Sequence, residues 1–504
     1  MTPPAARRRP NVLLVVADDH AANAVSAYPG GITEQAGVTT RQIDRVGLEG
    51  ARFDACGCTN SLCAPSRASI LTGTYNHRNG VTTLSTEFDA GQPTFPAMLR
   101  DAGYRTAIVG KWHLGHGGAH DPRGFDHWEV LPDQGDYHDP TFLTMDGGSH
   151  VRPGYATDVI TDLALDWLRT VESGDDPWCL LVQHKAPHRP WEPAPRHATL
   201  YDDVELPEPA TFFDDYAGRA DAAAQARMRV GRDLNREDLK AGPPDGLDAA
   251  DYARWAYQRY LRDYLRCVAA LDESVGRLLD HLDMTGQVDD TVVVYTSDQG
   301  FFLGEHGWYD KRFMYTESLQ MPLLVRYPRL VPAGLVCDAL VLNVDFAQTF
   351  LDLAGVDGHP RMQGRSMVPL LRGERPEAVE PGGWRTSAYY RYWEHLDGCH
   401  HVAAHRGVRT RDRKLVHYYG SGCGQPGASE QATTPEWELF DLVADPAEMQ
   451  SVHDDPAYAG DLARMRTELD RLAHELGDTV PCSDASPLTT PLPNAPRTHV
   501  KETP

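Results

Sequence analysis

Short apolar runs rich in β-branched residues alternate with longer amphipathic stretches along most of this chain. Five runs are clear candidates for strands, at residues 12–17, 106–109, 179–182, 291–296 and 323–326. The clearest helix lies between residues 251 and 284, where apolar side chains recur every three or four positions from Tyr264 to Leu282. Strands that are apolar throughout and are separated by helices are typical of a mostly parallel sheet buried on both faces. The sequence therefore predicts an α/β fold in which a large, mostly parallel or mixed sheet is sandwiched by helices.

A change of composition at residues 373–383 (GERPEAVEPGG) predicts the boundary of a second, smaller unit. We expect the main α/β domain to span residues 9–375 and a C-terminal α+β subdomain to span residues 384–482. The latter combines a short antiparallel sheet with a helix, predicted at residues 387–392, 407–410, 415–419 and 457–476. The polar residues 201–246 are predicted to form a long surface loop, and the Pro- and Thr-rich residues 483–504 a tail.

The charge balance of the chain excludes two classes of partner. With 48 Lys and Arg against 72 Asp and Glu, the 504 residues carry a formal net charge of −24. A nucleic acid or an anionic membrane surface would require a basic face, so we expect neither. No apolar run approaches the roughly 20 residues that span a bilayer. The apolar run after the arginines at residues 7–9 also ends too early, at Asp18, for a signal peptide, and we expect a cytoplasmic protein.

The nine cysteines are odd in number and scattered along the sequence. Such a pattern does not favour a disulfide framework and directs attention to a single special cysteine.

Polar side chains follow four of the predicted strands at the point where each strand ends. They are Asp18 and Asp19, Lys111 and His113, His184, Lys185 and His188, and Asp298 and Gln299. Each of them alone fits a turn, a helix cap or a solvated surface charge. Ligands of open parallel sheets, however, bind beyond the carboxyl ends of the strands. Because polar side chains follow four strands at this position, we expect them to form one site. Three carboxylates and an amide offer only oxygen ligands, which suit Ca²⁺ or Mg²⁺ better than zinc.

The segment CAPSRASILTG runs from Cys63 to Gly73 and reads as a short helix. Pro65 suits the first turn of a helix and Gly73 its end. Cys63 would then lie at a helix N-terminus, where backbone N–H groups favour an anion. Arg67, one turn later, could bind the same anion. On spacing alone, a buried structural cysteine before an ordinary helix explains this pattern better.

The same segment resembles the type I sulfatase signature C-x-P-S-R-x-x-x-L-T-G, whose cysteine is converted to formylglycine. Further blocks resemble that family in the same order along residues 9–476, namely NVLLVVADDH, GKWHLG, KAPHRPW, SDQGFFLGEHGWYDK and WELFDLVADPAEMQSV. The resemblance implies a member of the alkaline phosphatase superfamily. It also implies that a formylglycine-generating enzyme modifies Cys63 and that the cofactor is Ca²⁺, with Mg²⁺ as the alternative.

The resemblance also assigns the cation to five residues, which are Asp18, Asp19, the modified Cys63, Asp298 and Gln299. Many relatives carry Asn or His in place of Gln299, but a glutamine carbonyl can still bind a hard cation.

The catalytic roles follow from the same resemblance. Arg67 and Lys111 hold the formylglycine, His113 acts on its hydroxyl as a base, and His188 and Lys311 contact the sulfate and the leaving oxygen. The chemistry supports these roles, because cations absorb charge on the sulfate oxygens as in phosphoryl transfer. A hydrated aldehyde can attack sulfur with one hydroxyl and expel sulfate with the other, whereas a serine would be trapped as its ester.

The substrate expected from the resemblance is a small sulfated sugar. The sequence is similar to bacterial carbohydrate sulfatases, including those that act on N-acetylglucosamine 6-O-sulfate, and we predict sugar contacts from His306, His401 and His405. For the loop histidines, a role as ordinary loop residues explains the sequence equally well. Two alternatives stay open, a phosphonate monoester or phosphodiester hydrolase of the same superfamily and a non-catalytic sulfated-glycan-binding relative. A zinc phosphatase is disfavoured because the acidic set lacks histidine ligands.

Overall fold

Apolar strands and amphipathic helices alternate in the computed structural model, which describes residues 9–172 and 174–479. The strands are β1 (Asn11–Ala17), β2 (Ala51–Phe53), β3 (Cys56–Gly57), β4 (Arg105–Lys111), β5 (His127–Leu131), β6 (Thr141–Thr144), β7 (Ser149–Val151), β8 (Trp178–Gln183), β9 (Thr291–Ser297), β10 (Phe302–Leu303), β11 (Tyr309–Asp310), β12 (Leu323–Arg326), β13 (Leu335–Cys337), β14 (Val341–Leu342), β15 (Ala388–Tyr392), β16 (His405–Arg409), β17 (Arg413–Tyr418) and β18 (Glu436–Asp441). The α-helices are α1 (Ile32–Ala36), α2 (Arg41–Leu48), α3 (Cys63–Thr72), α4 (Asn76–Asn79), α5 (Phe95–Asp101), α6 (Ala156–Val171), α7 (Asp221–Gln225), α8 (Arg236–Leu239), α9 (Ala249–Met284), α10 (Thr316–Leu319), α11 (Asp345–Leu353), α12 (Val368–Leu371) and α13 (Ala459–Leu476).

Ten strands form one mixed sheet in the order β13-β2-β12-β9-β1-β8-β4-β5-β6-β7. The five central strands, from β9 to β5, are parallel, whereas β12 and β6 run antiparallel to them at either side. All five strands predicted from the apolar runs lie in this sheet. The predicted α/β fold is confirmed.

The central strands are buried because helices cover both faces of the sheet. In β1, Leu14 and Val16 pack into one core cluster with helices α3, α5 and α11, while Leu13 and Val15 pack into a second with α6 and α9. Burying one such side chain contributes about 1.5–3 kcal/mol. The predicted helix α9 begins after Asp248, whose carboxylate accepts hydrogen bonds from the backbone N–H groups of residues 250 and 251. This two-sided core holds the strand ends in fixed positions.

Helix α3 matches its sequence prediction closely. It begins at Cys63 itself, and Gly73 ends it in the left-handed conformation with φ of 62°. A side chain at Gly73 would be strained there, and its Cβ would also lie 3.1 Å from the Cβ of Ala347. The sequence therefore fixes both ends of the helix that carries the special cysteine.

The C-terminal residues form an antiparallel sheet in the order β15-β16-β17-β18, with α13 on one face. Three of these strands and the helix were expected, but β18 was not. Its Glu438 is buried and accepts a hydrogen bond from the hydroxyl of Tyr418. The other face of the sheet packs into the first core cluster of the main sheet through Tyr390, Val416 and Phe440. The predicted tail at residues 483–504 lies outside the described residues.

The prediction of a long surface loop at residues 201–246 is only partly correct. The segment contains the short helices α7 and α8, and Leu206, Phe212, Val230 and Leu234 pack into the second core cluster. These apolar residues are spaced without a regular period, so they do not show as a helix or strand in the sequence.

Two further observations bear on the class of protein. Across residues 9–172 and 174–479, no helix combines the length and apolar character needed to cross a bilayer. In the same ranges seven cysteines are free thiols, among them Cys63, and Cys423 is disulfide-bonded.

Candidate active site

The polar side chains predicted at the strand ends meet at one edge of the sheet. The strands that precede them, β9, β1, β8 and β4, are consecutive neighbours and parallel. Their carboxyl ends therefore deliver the side chains to one place, as expected for an open α/β sheet. The sequence prediction of a single site is supported by this strand order.

Three carboxylates form the centre of the cluster. Asp18, Asp19 and Asp298 are fully buried, and one oxygen of each lies within 4.8 Å of the others. Asp19 has a φ of 68°, an unusual conformation for a residue with a side chain. Its backbone N–H donates to Asp298 Oδ1 at 3.2 Å, and its carbonyl accepts from the hydroxyl of Tyr264 at 2.8 Å. These bonds hold the turn that brings the two acidic segments together.

Each carboxylate is paired with a different cationic side chain. Lys111 donates to Asp18, and Lys311 Nζ lies 2.5 Å from Asp19 Oδ1. Arg67, from helix α3, donates to Asp298 Oδ2 from Nε at 3.0 Å. All these groups are buried, so their charges are screened weakly and interact strongly.

The cations do not remove the repulsion between the acids. Burial, together with the negative charge of Asp18, raises the pKa of Asp19 to about 6 and that of Asp298 to about 7. Burial acts in the same direction on Asp18, but the positive charges around it, with Lys111 the largest, hold its pKa well below the usual range. Three carboxylates in one buried site are therefore favoured only with further positive charge.

Oxygen atoms suitable for a hard cation are present in this cluster. Asp18 Oδ1, Asp19 Oδ2 and Gln299 Oε1 are buried and accept no hydrogen bond from any described residue. The amide N–H₂ of Gln299 donates to Asp19, which leaves its carbonyl oxygen as the free atom. Carboxylate and amide oxygens are the ligands that Ca²⁺ and Mg²⁺ prefer. The residues fit a divalent cation of this kind.

Cys63, the first residue of α3, lies beside the carboxylates. Its Sγ, one Asp18 oxygen and one ring nitrogen of His188 all lie within 4.8 Å of one another. Burial raises the pKa of the Cys63 thiol to about 12, so an unmodified thiol stays protonated at neutral pH. Since the thiolate is the nucleophilic form of cysteine, the unmodified residue is poorly suited to attack.

Two histidines border the cluster, and both carry depressed pKa values because of burial and nearby lysines. His188 donates from Nδ1 to the carbonyl of Arg189 at 2.7 Å, and its Nε2 lies 3.8 Å from Asp19 Oδ2. A carbonyl can only accept, so His188 carries a proton on Nδ1. His113 approaches from the end of β4 with a φ of 55°.

Comparisons with known proteins give the family. A family model described as Sulfatase matches residues 10–356. The chain belongs to the sulfatase family. A second model, described as N-sulphoglucosamine sulphohydrolase, C-terminal, matches residues 304–475. The chain is therefore a sulfuric ester hydrolase, and the resemblance seen in the sequence is confirmed.

Individual relatives of this sulfatase act on sulfated sugars. An N-acetylglucosamine-6-O-sulfatase of Bacteroides thetaiotaomicron is 42% identical over 495 residues, which are 90% of this chain and 84% of the relative. The human N-acetylglucosamine-6-sulfatase is 31% identical over 392 residues, covering 73% of this chain and 65% of that protein. A solved structure in complex with its substrate D-glucosamine-2-N,6-O-disulfate superposes with a TM-score of 0.84 at 40% identity. That superposition covers 95% of this chain and 100% of the other.

The three histidines predicted to contact a sugar lie in different surroundings. His306 is buried in the sulfatase and pairs with Asp214 at 2.9 Å. His405 begins strand β16, is fully buried and packs against aromatic rings that include Tyr390 and Tyr418. His401 is partly exposed in the loop between β15 and β16. The described contacts of His306 and His405 favour a packing role for both.

A polar cluster next to Lys311 was not predicted. Arg312 Nη1 lies 3.0 Å from Asp310 Oδ1, and His400 bridges Asp310 at 3.3 Å and Asp397 at 3.1 Å. Arg312 Nε and Asp397 Oδ2 lie 3.7 Å apart as an ion pair, a distance too long for a hydrogen bond, and within the described ranges neither atom has a hydrogen-bond partner. The only part of this cluster that the sequence could indicate is the run of charged residues Asp310-Lys311-Arg312. Residues 397 and 400 are brought next to that run by the fold.

The hydroxyl of Tyr390, in strand β15, joins the C-terminal sheet of this sulfatase to both sides of the site. It accepts a hydrogen bond from the backbone N–H of Ser61 at 3.1 Å and donates to the carbonyl of Arg312 at 2.5 Å. Ser61 lies two residues before Cys63, and Arg312 follows Lys311. The C-terminal sheet thus helps to hold two active-site segments in place.

Proposed function

We propose that this sulfatase hydrolyses the 6-O-sulfate of N-acetylglucosamine or a closely related amino sugar, with Cys63 converted to formylglycine and a divalent cation bound at the carboxylates. The observation that carries the proposal is the meeting of Cys63 with Asp18 and His188 at the edge where Lys111 and Lys311 also lie. The similarity to two N-acetylglucosamine-6-sulfatases supports the choice of sugar.

The cation, proposed as Ca²⁺ with Mg²⁺ as the alternative, would be held by Asp18, Asp19, Asp298 and Gln299 together with the modified residue 63. Their unpartnered oxygens support this choice. Such an ion supplies positive charge that polarises the sulfate ester and lowers the pKa of a bound hydroxyl. With the ion in place, the lysines need not neutralise the carboxylates alone.

Conversion of Cys63 by a formylglycine-generating enzyme would supply two geminal hydroxyls at the N-terminus of α3, one to attack sulfur and one whose collapse releases sulfate. Around that position the cationic side chains neutralise charge on the sulfate oxygens. We assign this role to Lys111 and Lys311, with Arg67 holding Asp298 and the start of the helix. Asp19 raises the pKa of Lys311, so that its ammonium stays charged.

We assign the leaving oxygen to His188 and Lys311. The Nδ1–H of His188 is held by the carbonyl of Arg189, so Nε2 is the atom that faces the site. The negative charge of a bound sulfate would raise the pKa of His188 and so favour a second proton at Nε2. That proton would leave with the sugar hydroxyl, and the ammonium of Lys311 would stabilise negative charge on the same oxygen.

The substrate assignment is tested by measuring sulfate release from a panel of sulfated monosaccharides and disaccharides by the holoenzyme. We expect kcat/KM for N-acetylglucosamine 6-sulfate to exceed that for an aryl phosphonate ester by at least about a hundredfold, because a site built for one polar group rejects others. Activity on aryl sulfates alone would contradict the sugar assignment. Faster cleavage of the phosphonate would favour the phosphonate hydrolase alternative.

We also propose that the cluster of Asp310, Arg312, Asp397 and His400 contacts the hydroxyl groups of the sugar. Its charged groups are paired with one another beside Lys311, but the ion pair of Arg312 Nε and Asp397 Oδ2 is 3.7 Å long and leaves both atoms without a hydrogen bond. A sugar hydroxyl could supply those hydrogen bonds, which buried polar groups need. This cluster then replaces His306 and His405 in the predicted set of sugar contacts.

A paired substitution tests this subsite. His400→Gln should lower kcat/KM for the sulfated sugar about tenfold to a hundredfold, since hydrogen bonds to charged groups contribute about 1.5–3 kcal/mol. An aryl sulfate, which lacks the sugar hydroxyls, should lose less than about twofold. His401→Gln measures the original prediction for the neighbouring residue in the same loop. Equal losses on both substrates for His400→Gln would mean that His400 only supports the fold.

A further inference from the structure

Gln134 connects the cationic and imidazole groups of the active site. It lies in the loop between β5 and β6, and its side-chain amide is placed between Lys111 and His113. Its Oε1 accepts a hydrogen bond from Lys111 Nζ, and its Nε2 lies 3.3 Å from Nε2 of His113. Its backbone carbonyl also accepts from Lys185 Nζ at 3.3 Å. None of the sequence motifs includes this residue.

The chemistry of the partners fixes the orientation of the amide. A lysine ammonium can only donate hydrogen bonds, so it must face Oε1 and not the N–H₂ group. The N–H₂ group of Gln134 therefore faces His113. Because an amide nitrogen can only donate, Nε2 of His113 must be the acceptor. In the neutral ring the proton is then on Nδ1.

The surroundings keep His113 in that neutral form. Burial lowers its pKa well below the usual value, and the positive charges of Lys111, Arg67 and Lys311 act in the same direction against the charge of Asp18. A proton added at Nε2 would also face the N–H₂ group of Gln134 as a second donor.

The remaining ring atom points to a ligand. Nδ1 of His113 is buried, and no side chain or backbone group in the described part of the chain bonds to it. With its proton on Nδ1, this atom is a buried donor without an acceptor, which costs free energy unless a bound molecule supplies one. Oxygen atoms of the modified residue 63 or of a sulfate are acceptors of that kind.

We propose that Gln134 is a positioning residue that fixes the Nδ1–H tautomer of His113, so that His113 donates a hydrogen bond to the oxygens of the reaction and does not take up a proton from them. When the second hydroxyl collapses to the aldehyde, its proton then leaves with the sulfate as hydrogensulfate. The inference rests on the proposed function for the identity of those oxygens. It revises the base role expected for His113, since a base at Nε2 would require Gln134 to turn away.

The first test is spectroscopic and needs no activity. In protein labelled with ¹⁵N-histidine, with the His113 signals assigned through His113→Gln, we expect a protonated nitrogen shift at Nδ1 and an unprotonated one at Nε2. In Gln134→Glu the carboxylate can accept from Nε2, so the proton should move there. A wild-type protein with its proton on Nε2 would overturn the proposal, even if the sulfatase assignment is correct.

The second test separates donor from base by the pH dependence of turnover. In Gln134→Glu, neutral His113 would offer an acceptor at Nδ1, so kcat should fall about tenfold above the pKa of His113 in that variant. It should recover as pH decreases, because the imidazolium donates from both nitrogens. KM should change by less than about twofold, since the proposal gives Gln134 a role toward His113 and none in binding the sugar. A kcat equal to or above that of the wild type at high pH would instead show that His113 acts as a base through Nδ1.

Two variants control for indirect effects. Gln134→Met removes both amide contacts at similar size and leaves the tautomer of His113 unfixed, so kcat should fall by less than in Gln134→Glu. Its recovery should lie at lower pH than in Gln134→Glu, because no carboxylate stabilises the imidazolium. Asp133→Asn changes the neighbouring residue of the same loop, whose side chain is 80% exposed and pairs only loosely with His116 at 3.9 Å. Its pH profile should match that of the wild type. If the pH profile of kcat changes in the same way in Asp133→Asn as in the two variants at position 134, the effect comes from the loop as a whole. That result would contradict a specific role for Gln134.

Discussion

Cys63→Ser should yield a protein that accepts one sulfate group at residue 63 and then stops. A serine hydroxyl at the N-terminus of α3 can attack sulfur, but it lacks the second hydroxyl whose collapse would expel the sulfate. Steady-state turnover should fall by several orders of magnitude, since removal of a nucleophile costs on the order of a millionfold in a well-studied protease. The measurement is steady-state sulfate release together with the intact mass of the protein after incubation with substrate.

Two further variants make this result specific. Cys63→Ala should neither turn over nor gain mass. Cys337→Ser changes a free, buried cysteine in the edge strand β13, which is separated from β9 by β12 and β2, and should keep wild-type activity. Normal turnover by Cys63→Ala would disprove the assignment of the nucleophile. Sustained turnover by Cys63→Ser would show that the second hydroxyl is not needed.

Among the predicted changes in turnover, we expect the second largest from loss of the divalent cation. Asp18→Asn keeps the shape of the side chain but removes the charge of a proposed ligand. We expect the affinity for Ca²⁺ to fall by more than about a hundredfold, because changes to groups that only support ligands already cost 10- to 100-fold. Turnover at limiting Ca²⁺ should fall in parallel. Titration calorimetry of chelator-treated protein with Ca²⁺ and with Mg²⁺ measures the affinity directly.

Thermal unfolding provides an independent readout of the same site. Ca²⁺ at one hundred times its Kd should stabilise the wild-type protein by about 2.7 kcal/mol, and Asp18→Asn at the same concentration by much less. Asp101→Asn is the matched control, because its side chain is 77% exposed and, among the residues that the structure describes, forms an ion pair only with Arg100. If Ca²⁺ and Mg²⁺ fail to stabilise the wild type or to restore activity after chelation, the oxygen cluster is not the cation site.

The centre of the active site could be predicted from the sequence because its residues follow strands that are easy to recognise. Apolar runs identify β1, β4, β8 and β9, and parallel strands must end at the same edge, so the residues after them converge without any knowledge of the strand order. Asp18 and Asp298 are an example, separated by 280 positions yet placed together by adjacent strands. The motif around Cys63 added the proposed nucleophile, and its helix forms where the Pro and Gly positions indicate.

The outer parts of the site depend on contacts that no local pattern records. His400 reaches Asp310 only because the loop between β15 and β16 returns over the end of β11, and nothing in the spacing of the histidines distinguishes it from His401. His405 sits in a strand whose partner rings come from distant segments. Gln134 is a polar residue in an irregular loop. The boundaries predicted for the main domain and the C-terminal subdomain stay predictions, as does the cytoplasmic location.

The position of Tyr390 has a consequence for protein engineering. Because its hydroxyl bonds the segment before Cys63 and the residue after Lys311, exchanging the C-terminal sheet for that of a relative should disturb the proposed nucleophile along with the proposed sugar contacts. Chimaeras of this kind should therefore lose rate when they change substrate range. Replacing only the loop between β15 and β16, with Tyr390 retained, should change substrate specificity without moving the active-site segments that Tyr390 holds.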